Sequence, residues 1–83
     1  MLDVVAISTL VIPAGVQTIN EQAFGYYPKI TRIICYATIP PAISNYTVSY
    51  TLSNAILSVP AESLELYRQA TGWKQFKTIE PIQ

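Results

Sequence analysis

Three short apolar runs recur along the chain at nearly constant spacing: Leu10-Val11-Ile12, Ile33-Ile34-Cys35 and Leu57-Ser58-Val59. Leu10, Ile33 and Leu57 lie 23 and 24 positions apart, and Ile12, Cys35 and Val59 repeat the same intervals. A period in the twenties arises when each turn of a coil lays one strand beside the last. The pattern therefore predicts short parallel strands stacked side by side, with irregular returns behind them. It predicts an architecture and says little about a ligand.

The boundaries of the elements follow from the breakers. The first strand spans residues 9–12 and stops at Pro13, which has no N–H for a ladder. Ala14-Gly15 turns the chain, and Gly15 is free to take a positive φ. Val16, Ile19, Ala23 and Phe24 then suit a short helical or irregular return that drops Val16, Ile19 and Phe24 onto the strand layer. Gly25 to Lys29 turns into a second strand over residues 30–35, with Ile30, Ile33 and Ile34 as its largest apolar members. Pro40-Pro41 forces extended backbone on Ile39. Residues 44–54 read as a polar loop with one brief edge strand, since Tyr46, Val48 and Tyr50 alternate. A third strand spans residues 55–59 and ends at Pro60.

Pro60 also opens the one helix, predicted from Ala61 to Ala70 or Thr71. Glu62 and Glu65 favour its positive end, and Arg68 lies three residues beyond Glu65. Leu64, Tyr67, Leu66 and Ala70 make its apolar arc, and Gly72 is its stop. Trp73 and Phe76 fold back as large apolar anchors. Lys77 to Ile79 is extended again, 22 positions after the third strand, and reads as a fourth rung.

Composition narrows the function classes. Only 12% of residues are charged and 51% are apolar, while five acids balance five bases. That balance offers no field to draw nucleic acid or anionic lipid, so neither is an expected partner. No run approaches the ~18–20 apolar residues of a membrane helix. Met1 to Ile7 is apolar without a basic start or cleavage site, and reads as a strand rather than a secretion signal. The single cysteine, Cys35, excludes an internal disulfide and reads as a small buried apolar side chain.

Two passages resemble one family. Leu10-Val11-Ile12-Pro13-Ala14-Gly15-Val16-Gln17-Thr18-Ile19, followed by Ala23-Phe24 and then Ile30 and Ile33, is similar to one BspA-type leucine-rich repeat. That pattern runs L-x-I-P-x-x-V-x-x-I, then A-F, then L-x-x-I. Val59-Pro60-Ala61-Glu62-Ser63-Leu64-Glu65-Leu66-Tyr67, with Gly72-Trp73-Lys74-Gln75-Phe76, Ile79 and Pro81-Ile82, resembles the segment closing many such proteins. Gly25-Tyr26-Tyr27-Pro28 departs from the small or cysteine-containing turn that usually follows A-F, and residues 44–54 match no repeat. The resemblance implies a leucine-rich-repeat-like α+β solenoid fragment, with residues 1–59 as repeats and 60–83 as a helical cap of one domain. It also implies a secreted or surface-attached bacterial protein with an adhesion or protein-binding role, and no catalytic residues.

Candidate chemistry is sparse. With no histidine, the usual nucleophilic triads and most zinc sites are absent, and three scattered glycines cannot form a phosphate loop. Glu62 and Glu65 read as solvated helix residues rather than a carboxylate pair. Asn45-Tyr46-Thr47 matches a glycosylation triplet that a bacterial origin would leave unused. No catalytic, cofactor or metal site is expected, and an enzyme is not. Tyr26, Tyr27, Tyr36, Tyr46 and Tyr50 fall in predicted turns and loops and are the candidate ligand contacts, because tyrosine couples area with a directional hydroxyl. The expected function is a non-enzymatic protein-interaction module at the end of a longer repeat array. The alternatives are a structural terminus without its own ligand, and a carbohydrate-binding module. Self-association through the β-prone N-terminal edge is a further expectation.

Overall fold

The structure is a computed structural model that describes residues 8–20, 24, 30–44, 46–49 and 52–82. It is mixed α and β. Strands β1 (Thr9–Ile12), β2 (Arg32–Cys35), β3 (Ile56–Val59) and β4 (Thr78–Pro81) form one parallel sheet in chain order. Leu10 stands opposite Ile33, Ile33 opposite Leu57, and Leu57 opposite Ile79. The apolar spacing in the sequence is therefore the ladder register. The fourth extended piece joins the same sheet.

The returns align as well as the strands. Thr18 and Ala42 form a parallel bridge behind the sheet, with the Ile19 N–H on the Ala42 carbonyl at 3.0 Å and the Ala42 N–H on the Gln17 carbonyl at 2.8 Å. At the ends of the strands the same offsets recur: Thr31 N–H to Ser8, Tyr36 N–H to Ile12 and Ile82 N–H to Val59. Successive segments thus meet through their main chains behind the sheet at Thr18 and Ala42 as well as along the strands.

Period-two alternation decides which side chains form the core. Leu10, Ile33, Leu57 and Ile79 make one inward row, and Ile12, Cys35 and Val59 the next. Ile33 and Leu57 in the middle are completely buried, each worth ~1.5–3 kcal/mol over an exposed position. Leu10 and Ile79, at the two ends of the row, are only half-buried. Phe24, Ile30, Val48 and Leu52 reach the same core from the returns.

Several boundaries differ from expectation. β2 begins at Arg32 rather than Ile30, so Ile30 is core without being strand, and Ile34 faces outward and is half-buried. Residues 44–54 supply no strand among those described. Ser44 Oγ accepts the Tyr46 N–H and Ser49 Oγ the Leu52 N–H, folding the loop into local turns and a 3-10 turn at Leu52–Asn54. Gly15 does not adopt a positive φ; Gly72, at +81°, does. Helical backbone runs as a 3-10 turn, Ala61–Ser63, and then a six-residue α-helix, α1 (Leu64–Gln69). Leu66 is largely exposed, so the apolar arc of α1 is narrower than its sequence suggests. Pro81 lies within β4 rather than beyond it, a position tolerated on the last strand of a sheet. The extended reading of Met1 to Ile7 and the turn at Gly25 to Lys29 lie outside the described residues.

Candidate functional site

The chain after β3 is locked onto the preceding coil by three side-chain donors. Ser63 Oγ donates to the Thr38 carbonyl at 2.6 Å, Tyr67 OH to the Ala37 carbonyl at 2.7 Å, and Trp73 Nε1 to the Pro41 carbonyl at 2.7 Å. Their acceptors lie together in the Pro-rich stretch after β2, where the chain bends at Thr38 and Ile39 and forms no ladder. Side chains of the closing segment therefore serve carbonyls that no strand reaches. All three donor residues are buried, Tyr67 and Trp73 completely.

Aromatic geometry completes this lid. The Tyr67 and Trp73 rings meet edge-on, with centroids 5.2 Å apart at 82°, and Phe76 stacks near Trp73 at 6.1 Å and 24°. Gly72 makes the arrangement possible. A Cβ there would stand 2.6 Å from Ile43 and 2.8 Å from the Ser44 carbonyl. Its left-handed backbone turns the chain from α1 into the 3-10 turn Trp73–Gln75.

Cys35 lies beneath the lid. Its Sγ is 3.2 Å from Tyr67 Oη. Because the tyrosine proton is given to Ala37, the thiol is the donor in this contact. Burial holds the Tyr67 hydroxyl well above the ordinary tyrosine range. The cysteine is thus a core residue, as its β-rich setting suggested, but its partnership with Tyr67 has no sequence signal.

On the outer face of the sheet, Arg32 Nη1 donates to Ser58 Oγ at 2.8 Å and to Glu80 Oε2 at 3.0 Å. Three strands contribute to this polar link, and both charged ends stay partly exposed. The same face carries Thr9 and Thr78, both exposed, and the apolar Val11, exposed, with Ile34 and Ile56 half-buried. Outward parity of residues 32, 58 and 80 was readable once the register was known.

The candidate tyrosines do not form a shared site among the described residues. Tyr36 is exposed immediately after β2, and Tyr46 is 85% exposed at the tip of the loop after Ser44. Neither takes part in the ring contacts described above. Tyr26, Tyr27 and Tyr50 lie outside the described residues. Glu62 and Glu65 are exposed, and Glu65 pairs with Arg68 at 2.6 Å, consistent with a solvated helix face. Thr47 is buried, with Oγ1 accepting the Ser44 N–H at 3.2 Å. Among the described residues, no three metal-ligating side chains gather and no helix is long and apolar enough to cross a membrane.

The two ends of the sheet differ. On the β4 side, α1 packs near the last strand, while Ile79 stays half-buried. Against β1 lies a cavity of about 240 Å³ lined almost wholly by apolar side chains, including Leu10, Ile12, Pro13, Val16, Ile19 and Phe24. These residues occupy the positions that, one coil later, Ile33, Cys35 and Ile43 occupy against their own neighbour. The chain matches no protein-family model, no curated protein and no solved structure.

Proposed function

We propose that this chain is the closing section of a longer leucine-rich-repeat-like solenoid, acting as a non-enzymatic protein-interaction module on a secreted or surface-attached protein. The observation that carries this reading is the unlike treatment of the two sheet ends. At the closing end Tyr67, Trp73 and Phe76 are buried and Tyr67 and Trp73 bond to the preceding return, whereas the other end presents Leu10, Val16 and Ile19 half-buried beside an apolar cavity. A further coil with the same spacing would cover those side chains as β2 covers β1. The likeness of residues 10–19 and 59–82 to BspA-type repeats and their closing segment supports the same assignment, and with it the adhesion role and the location.

Tyr36 and Tyr46 are the ligand contacts this reading favours, since both carry exposed rings on a surface with few charges. The strong interlocking of residues 63–73 with residues 37–41 supports the second reading, a terminus that only shields the array. Substituting Tyr36 and Tyr46 together by alanine in the full parent protein separates them. Lost adhesion with an unchanged circular dichroism spectrum assigns the ligand to this section. Unchanged adhesion leaves it the structural role. Placing one extra copy of residues 8–30 ahead of Ser8 tests the array itself: a monomeric protein with a higher unfolding midpoint is expected, and an aggregating or destabilised one would overturn it.

A further inference from the structure

We propose that the groove between the first two returns binds a neutral sugar, with Gly15 and Gln17 on one wall and Thr38 and Ile39 on the other. The groove has a volume of about 370 Å³, at the small end of ligand clefts. It opens because the two returns differ in length. Five residues separate Ile12 from Thr18 and six separate Cys35 from Ala42, although Ile12 pairs with Cys35 and Thr18 with Ala42. The longer return has to bow, and it bends at Thr38 and Ile39. The two main chains therefore part between the end of the strands and the bridge behind the sheet.

Both walls are fixed from within the fold. The Val16 N–H closes the Ala14-Gly15 turn on the Pro13 carbonyl at 3.3 Å, and the Ala42 N–H holds the Gln17 carbonyl at 2.8 Å. On the other wall, Ser63 Oγ holds the Thr38 carbonyl at 2.6 Å. A ligand entering the groove meets walls already formed, so little of its binding energy goes into ordering them.

The groups left over set the chemistry. Among the described residues, the N–H groups of Gly15 and Ile39, the Thr38 hydroxyl and the Gln17 amide have no partner within the chain. Val16, Ile39 and Pro40 add apolar area, and Ile39 is 74% exposed, the most exposed large aliphatic side chain among the described residues. A sugar ring presents C–H patches beside hydroxyls that both donate and accept, which matches this alternation of apolar side chains with neutral hydrogen-bonding groups. No charged residue lines the groove, so an ion would meet no counter-charge. Both walls turn, so neither offers the straight ladder edge that an extended peptide uses. The site does not depend on the array reading. The competing explanation is a plain crevice between two unequal returns.

Amide chemical-shift mapping of the intact chain against mannose, galactose and N-acetylglucosamine decides between them. At least one sugar should shift the Gly15, Gln17, Thr38 and Ile39 amides saturably, with Kd on the order of millimolar. Roughly 0.5 M salt should leave the affinity unchanged, since no ion pair is involved. Gly15→Leu should abolish the shifts and keep the melting midpoint, because a side chain there enters open space at a backbone whose φ is not positive. Gln17→Ala, at an exposed position, gives an independent reading and should weaken binding several-fold. No saturable shift with any of the three sugars up to about 50 mM, or shifts centred on other residues, would overturn the proposal. So would binding that survives both substitutions, or a preference for the charged sugar glucuronate or the neutral peptide Ala-Pro-Ala.

Discussion

The indole N–H of Trp73 donates to the carbonyl of Pro41, at 2.7 Å across 32 positions of sequence. Proline at 41 has no N–H of its own and sits in the return between β2 and β3, beside the Thr18–Ala42 bridge, so its carbonyl takes a side chain as partner. Trp73 is completely buried and also contacts Tyr67 and Phe76. One side chain thereby joins the lid to the coil it covers.

Trp73→Ala should accordingly cost ~3–5 kcal/mol of stability, read from urea unfolding. Trp73→Phe keeps much of the ring but leaves the Pro41 carbonyl unpaired, and should cost less, ~1–3 kcal/mol. A loss below about 1 kcal/mol for the alanine variant would remove Trp73 from the core.

Tyr67 makes stability depend on alkaline pH. Its hydroxyl titrates higher in the fold than in the unfolded chain, where tyrosine ionises near ~10, because burial disfavours the phenolate. A raised folded value means the native state holds its proton longer. The contribution is therefore intact below about pH 10 and is lost as pH climbs beyond it. Urea midpoints measured across this range should fall for the parent and fall less for Tyr67→Phe, which should itself be weaker by ~1–3 kcal/mol at neutral pH through the unpaired Ala37 carbonyl.

Two glycines should respond oppositely to alanine. At Gly72 the backbone is left-handed and a Cβ would strike Ile43 and the Ser44 carbonyl, so Gly72→Ala should destabilise by more than about 1 kcal/mol. At Gly15 nothing stands within 4 Å and φ is not positive, so Gly15→Ala should be neutral or stabilising by ~0.4–1 kcal/mol. Thermal melts of the pair test the contrast, and equal shifts would contradict the placement of Gly72.

Cys35 should be inert in the native state. Its thiol is fully buried and donates to Tyr67, so reaction with a water-soluble disulfide reagent should wait on opening of the lid. Labelling is expected to accelerate with urea in step with unfolding, and to accelerate strongly in Trp73→Ala without denaturant. Rapid labelling of the parent in buffer would place the thiol at the surface.

The strand positions were legible because a parallel stack repeats its demand on sequence: every coil must present apolar side chains at the same two inward positions. Leu10, Ile33, Leu57 and Ile79 answer that demand, and Pro13 and Pro60 mark the ends of their strands. The returns were less legible. In residues 44–54 the alternation of Tyr46 and Val48 imitates a strand, whereas Ser44 and Ser49 bind main-chain N–H groups and make turns instead. The helical stretch was legible in extent, but not that its first turn, Ala61–Ser63, is 3-10 or that Leu66, apolar by type, faces solvent.

The aligned returns carry a consequence for how this molecule is assembled. Most ladder partners sit one coil apart, 22 to 24 positions along the chain, so closing each layer costs about the same modest loop entropy as closing the one before it. Folding should then proceed by accretion, layer upon layer. Lengthening such a molecule need not slow the formation of any single layer.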